Sequence, residues 1–287
     1  MSAWPSRSIG GLAAAVLTAG VLASAQSLPN EPQRNSGASV TAAFEGWFRN
    51  PDGSFTFLIG YYNRNQAQTL EVPIGPNNRI EPGGPDRGQP THFQTGRQWG
   101  MFAITAPSDF GQQRLAWTIV ANGQSTSIPF YLHPDYEIAP FREAAVGNTP
   151  PTLAFDERGP AVQGPLAMIV DRTATLGRPL TLNAWISDDA KFTSSSGLRP
   201  KDAETRVTIT WTKYRGPGSV KFDPERPRVE PMEGGTAGYN GKAATTVTFS
   251  EPGEYMLHAM VNDLSGAGGG GFQCCWTTGL VKVSVSP

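Results

Sequence analysis

Cysteine is almost absent from this chain. Only two occur in 287 residues, and they are neighbours, Cys274-Cys275. A framework of several disulfides is therefore excluded. Histidine is nearly as scarce: His92, His133 and His258 each lack a second His or Cys at ligand spacing, so a zinc site has no support. Charged residues make up 16% of the chain, against about 25% in an average globular protein, which argues against a long coiled coil. No basic excess exists: the formal net charge is −1, so the chain lacks the cationic surplus that neutralises nucleic-acid phosphates or coats an anionic membrane. There is no Gly-x-Ser-x-Gly elbow and no phosphate-binding loop leading into a helix. No window repeats with a helical period, and no apolar run beyond the N-terminus is long enough to cross a bilayer.

What is present is glycine and proline, 33 and 25 residues, about a fifth of the chain. There is no Gly-X-Y period, which excludes collagen, and 38% hydrophobic content suffices to build cores. A turn-rich, antiparallel all-β protein remains. The length suggests two domains.

The first 25 residues read as a secretory signal. Arg7 is their only charge, an apolar run follows from Ile9 to Leu22, and Ala23-Ser24-Ala25 supplies the small residues of a cleavage site. Cleavage after Ala25 would make Gln26 the first mature residue, remove Arg7 and leave no membrane span. The expected location is the periplasm or the extracellular space.

Residues 26–38 read as a flexible leader. Strand alternation begins at Val40, with Val40, Ala42, Phe44 and Phe48 opposing Thr41, Ala43, Glu45 and Trp47. Asn50-Pro51-Asp52-Gly53 is a turn, and Phe55, Phe57, Ile59 and Tyr61 alternate beyond it. Further strands are marked by Leu70, Val72 and Ile74, by Phe102 and Ile104, and by Leu115, Trp117 and Ile119. Asn122-Gly123 then turns the chain into Ile128, Phe130 and Leu132. Residues 39–138 thus predict an N-terminal β-sandwich domain, and 139–160, rich in Pro and Gly, a linker with an entry strand.

The alternation stops between Gly75 and Gln98, a stretch holding Pro76, Pro82, Pro85 and Pro90. So long a loop in a compact domain is uncommon. One reading is a binding loop in which Arg79, Arg87, Arg97 and His92 meet a ligand; the other, weighted higher, is a proline-stiffened cover over one end of the sandwich. Glu45 and Glu71 are available carboxylates that nothing in the sequence singles out.

Residues 161–287 predict a second sandwich. Leu180, Leu182, Ala184 and Ile186 alternate with polar neighbours, as do Val207, Ile209 and Trp211. Tyr255, Leu257, Ala259 and Val261 oppose Met256, His258 and Met260, and Val281, Val283 and Val285 close the chain. The stretch from Asp188 to Thr205 reads as a polar surface excursion. The order Gly177-Arg178-Pro179-Leu180-Thr181-Leu182, then Trp211, then Gly216-Pro217-Gly218-Ser219, then Pro252-Gly253-Glu254-Tyr255 and a strand ending in Asn262-Asp263 resembles PKD-type bacterial immunoglobulin-like domains, relatives of fibronectin III and cadherin-like sandwiches. The resemblance covers about residues 150–287. It implies an immunoglobulin-like sandwich and a non-catalytic role as spacer, adhesion module or carbohydrate-associated module. Residues 26–138 resemble no named family.

Many members of that family carry an Asp-x-Asp-Gly loop that holds Ca²⁺. Here the matching stretch is Ser187-Asp188-Asp189-Ala190-Lys191, without the glycine. Asp188, Asp189 and Asp263 are the candidate calcium ligands. Calcium takes about six to eight oxygens, so solvated turn aspartates are the preferred reading and no cofactor is expected.

Cys274 and Cys275 would oxidise in an exported protein, and their only intrachain partners are each other. Consecutive Cα atoms lie about 3.8 Å apart, below the usual disulfide span of roughly 4.4–6.8 Å. The alternatives are a reduced pair binding a soft metal such as Cu(I), or buried inert thiols. A vicinal disulfide is favoured, as a brace rather than a ligand platform beside Trp276, and Gly268–Gly271 gives the chain freedom to turn. The expected function is a non-catalytic binding or structural module. The alternatives are a carbohydrate-binding protein, using Trp47, Trp99, Trp185 and Trp276 as stacking faces, and a hydrolase with its site in the 75–98 loop. The partners implied are an extracellular glycan or a cell-envelope protein.

Overall fold

The structure, a computed structural model, describes residues 34–144, 146–191, 207–233, 238–263, 265 and 274–287. The secretory signal, most of the leader, most of the polar excursion after Asp188 and Gly268–Gly271 lie outside the described residues. Gln33–Pro287 cluster as one compact unit. It is all-β: among the described residues there is no α-helix, only one 3₁₀ turn at Pro134–Tyr136.

The first half contains β1 (Val40–Arg49), β2 (Phe55–Asn63), β3 (Leu70–Glu71), β4 (Asn78–Glu81), β5 (His92–Phe93), β6 (Gly96–Ala106), β7 (Leu115–Ala121) and β8 (Gln124–Phe130). They form two three-stranded sheets, β1-β2-β6 and β4-β7-β8, with a two-stranded ribbon β3-β5. Both expected hairpins are present: β1 pairs β2 across the Asn50–Gly53 turn, and β7 pairs β8 across Asn122-Gly123, both at positive φ. Phe57, Ile59, Tyr61, Ile80, Phe93, Trp117 and Phe130 fill the core between the sheets.

Two details depart from the sequence pattern. Residues 75–98 are not strandless, because β4 adds to the edge of β7 and β5 to β3. Trp47 does not point outward. The β1–β2 register shifts between Phe44 and Gly46, so Glu45 is bulged and Trp47 comes opposite Phe57. One extra residue in a strand moves every later side chain to the other face, which puts Trp47 in the core.

The second half contains β9 (Thr152–Ala154), β10 (Ala161–Gln163), β11 (Met168–Thr175), β12 (Leu180–Asp188), β13 (Thr208–Arg215), β14 (Val220–Asp223), β15 (Glu230–Pro231), β16 (Tyr239–Phe249), β17 (Gly253–Asn262) and β18 (Trp276–Ser286). One sheet runs β10-β9-β12-β16-β14, with β15 also on β16; the other runs β11-β18-β17-β13. All the pairings are antiparallel except β11 with β18. Those two strands run the same way because the rest of this sandwich is threaded between them, the long crossover a parallel pair requires. Leu182, Ile186, Ile209, Trp211, Val247, Tyr255, Leu257, Val261 and Val283 form the second core. The alternation expected along β17 is kept: Tyr255, Leu257, Ala259 and Val261 face this core, whereas Met256 and Met260 pack against the first one. Tyr214 and Leu280 also belong to the first core, so the β13–β17–β18 face closes the N-terminal lobe.

Candidate functional site

The chemistry-bearing side chains of the two halves meet along β13 and the segment from Glu71 to Gln94. Asn78, fully buried, first shapes this segment. Its Nδ2 donates to the carbonyls of Val72 and Pro90, both at 2.8 Å, and its Oδ1 accepts from Trp117 Nε1 at 2.9 Å. Gln89, also buried, then ties the tip together, its Oε1 accepting from Arg87 N at 2.8 Å and its Nε2 donating to Pro85 O at 2.6 Å.

The shaped loop is bonded residue by residue to Lys213, Tyr214 and Arg215. Arg215 donates to both oxygens of Asp86, at 2.8 and 3.0 Å, and its Nε donates to Gln89 O at 2.9 Å. Such a fork is the geometry a guanidinium supplies and an ammonium does not. Tyr214 Oη donates to Gly88 O, and Thr91 N to Tyr214 O at 3.1 Å. Lys213 Nζ reaches Glu71 Oε1 at 2.7 Å, and His92 Nδ1 meets the same oxygen at 2.6 Å. On its other side the His92 Nε2 is 3.1 Å from Gln94 Nε2. Burial raises the Glu71 carboxyl, but the hydrogen bonds and charges of His92 and Lys213 outweigh it and leave the group below the usual carboxylate range. Asp86 is likewise held low, chiefly by Arg215. Burial pushes the Tyr214 hydroxyl far up, so it stays protonated and serves as a donor.

Deeper in the junction lies His258. It is fully buried, stacked on Tyr214 with ring centroids 6.0 Å apart, and directly opposite Thr212 and Leu280 across the sheet. Burial alone pushes its pKa down to about 4, which keeps the ring neutral. A second contact between the halves is made by Trp276. Its ring lies against Gly100, where an added Cβ would come within 2.5 Å of Cζ2.

Of the sequence candidates, His92 alone stands in this ion cluster. Arg79 pairs with Glu81 at 2.8 Å and reaches Pro76 O. Arg87 donates to Pro82 O at 2.9 Å. Arg97 pairs with the buried Glu45 at 2.7 Å, donates to the carbonyls of Tyr61 and Gln98, and lies over the Trp99 ring. Burial raises the Glu45 carboxyl, and Arg97 partly offsets this. Trp276 is 1% exposed, buried rather than presented to a ligand.

The three aspartates lie at one end of the second sandwich, each on neighbouring groups. Asp263 accepts from Asn148 Nδ2 at 2.6 Å and Ser265 N at 2.7 Å; Asp189 from Thr149 Oγ1 and from Thr149 N and Lys191 N; Asp188 from Ala190 N at 2.9 Å. Burial raises the Asp263 carboxyl, against the pull of Asn148 and Ser265. Among the described residues no group of three or more His, Cys, Asp or Glu is placed to hold a metal ion. Cys274 and Cys275 form a vicinal disulfide with Cα atoms 3.2 Å apart; both are buried, and Cys275 Sγ lies 3.5 Å from Asn148 O.

The sequence reading missed Lys213, Tyr214, Arg215 and Asp86. The only available signal was a Lys-Tyr-Arg run at the end of a strand, where alternation predicts one exposed face and gives no reason for a second polar partner.

No family model and no curated protein matches the chain. Among solved structures, domains 4 and 5 of the S-layer protein SbsC align over 87% of this chain and 98% of theirs, at 11% identity and a TM-score of 0.23. A protein of unknown function from Porphyromonas gingivalis aligns over 86% of this chain and all of its own, at 9% identity and a TM-score of 0.23. An endo-fucoidan hydrolase of glycoside hydrolase family 107 aligns over 88% of this chain and 30% of its own, at 13% identity and a TM-score of 0.19. These distant likenesses carry no functional argument. Among the described residues, no helix is long and apolar enough to cross a membrane.

Proposed function

We propose that this protein is an exported, non-catalytic structural module in which two β-sandwiches act as one stiff body, serving the cell envelope as a spacer or scaffold. The observation that carries this reading is the docking of Glu71 and residues 86–91 along Lys213, Tyr214 and Arg215. That docking turns a loop long enough to be a binding loop into a fixed joint. The shared use of Tyr214 and Leu280 by the N-terminal core works in the same direction. The non-catalytic part of the reading rests on how the ionisable groups are used: Glu71, Asp86, Lys213 and Arg215 are bonded to each other or to backbone.

The glycan-platform alternative draws little from the tryptophans. Trp47 and Trp276 are buried, and Trp99 and Trp185 each carry a cation over one face, Arg97 at 4.0 Å and Lys242 at 4.8 Å. Cell fractionation combined with mass spectrometry of the native N-terminus tests the proposal. A protein outside the cytoplasm beginning at Gln26 is the expected result. Retention in the cytoplasm, or multiple-turnover hydrolysis of any glycan by the purified chain, overturns it.

A further inference from the structure

A cleft of about 370 Å³ opens beside the joint, walled by Glu71, His92 and Gln94 from one half and by β13 and β14 from the other. Its volume lies at the lower end of the roughly 300–1,000 Å³ typical of small-molecule sites. We propose that this cleft binds a neutral sugar ring, a function beyond the structural role and independent of it.

Three observations choose that ligand chemistry. The first is charge. Glu71, Glu225, Lys213 and Lys221 all line the cleft, so the carboxylates and ammonium groups of the wall balance. Glu71 and Lys213 are already bonded to each other. A phosphate or a divalent cation would meet groups of its own sign as often as the opposite one. The second is hydrogen-bonding capacity. Thr69, Gln94 and Ser219 offer two hydroxyls and an amide, groups that both donate and accept, as sugar hydroxyls do. The third is an aromatic wall. Phe222, half-buried, lines the cleft together with Trp211, on which it stacks with ring centroids 6.2 Å apart and planes at 25°. An aromatic face set among polar groups matches the apolar C–H face of a pyranose, whose hydroxyls then project to the rim.

The groove along Val207–Thr210 and Arg226–Val229 is of similar volume, about 360 Å³, but presents two arginines and neither a carboxylate nor an aromatic ring. It fits this ligand class less well.

Saturation-transfer NMR on the full mature chain tests the proposal, with N-acetylglucosamine, galactose and cellobiose each at about 10 mM, a level that detects a Kd near 1 mM. Inorganic phosphate and calcium chloride serve as competitors. At least one sugar should receive saturation, and neither competitor should displace it. Phe222→Leu keeps an apolar side chain and should weaken binding about three- to tenfold, Phe222→Tyr should retain it, and the surface change Ser219→Ala should weaken it a few-fold at unchanged Tm. Absence of transfer to all three sugars, displacement by phosphate or calcium, or binding indifferent to both Phe222→Leu and Ser219→Ala would overturn the proposal.

Discussion

At the scale of single residues, His258 carries the sharpest consequence. Its ring is buried and neutral, with a pKa near 4 against 6.5 for a free histidine. The unfolded chain therefore binds a proton between those values that the folded chain refuses. Stability is full above about pH 6.5 and falls as the pH drops towards 4, where the loss from this group reaches about 3 kcal/mol. Urea denaturation at pH 7 and pH 4.5 should show the drop, and His258→Phe should flatten it; an unchanged pH slope in that variant would refute the assignment. Gly100 makes a second residue-level case. Its φ is +47°, and a Cβ there would press into the Trp276 indole. Gly100→Ala should cost about 1–3 kcal/mol, the usual range for overpacking, read as a lower Tm. Gly37 is also at positive φ but has open space around it, so Gly37→Ala should cost less.

At the scale of elements, the loop clamped on β13 separates strong contacts from weak ones. Asp86 is about half exposed, and such a surface pair is worth at most about 1 kcal/mol. Arg215 bonds to Asp86 and also to the carbonyl of Gln89, which loses its partner if the guanidinium is removed. Asp86→Ala should therefore lower stability by less than about 1 kcal/mol, and Arg215→Ala by about 1–3 kcal/mol. Hydrogen exchange at Thr91, whose N–H is bonded to Tyr214 O, should quicken more in the arginine variant. Equal effects would mean that the ion pair, rather than the carbonyl contact, holds the loop. Elements also show how much could be read in advance. The β1–β2 and β7–β8 hairpins were legible because Asn50–Gly53 and Asn122-Gly123 carry their turn chemistry locally. The face of Trp47 was not, because a bulge at Glu45 leaves no mark on the polar–apolar alternation. Strand β4 was hidden by the prolines around it and exists because β7 offers an edge.

For the whole molecule, the N-terminal core is completed by side chains from the C-terminal half. Tyr214 and Leu280 are both buried within it, and Met256 and Met260 pack against it. Expressed as separate pieces, residues 26–138 should expose this surface, lose near-UV ellipticity and associate, whereas the intact chain should unfold in one transition by fluorescence and by circular dichroism. An isolated N-terminal piece with the stability of the intact chain would count against the shared core. The candidate site is a property of this scale as well. Lys213 and Glu71 stand 142 residues apart, and Arg215 and Gln89 stand 126 apart. His92 was legible as an unusual residue in an unusual loop. Its partners were not, since nothing near either segment encodes the other.

By itself the sequence determined the all-β class, the main hairpins and the alternation along β17, and it favoured a bond between two adjacent cysteines. Those features depend on local turn chemistry, on a period of two, and on chain proximity, all of which are written in neighbouring residues. Only the tertiary structure decided that the 75–98 segment is a joint, that Trp276 is buried against Gly100, and that a charge-balanced cleft lies between the halves. Those features depend on which surfaces meet, and that choice is made by packing between segments more than a hundred residues apart.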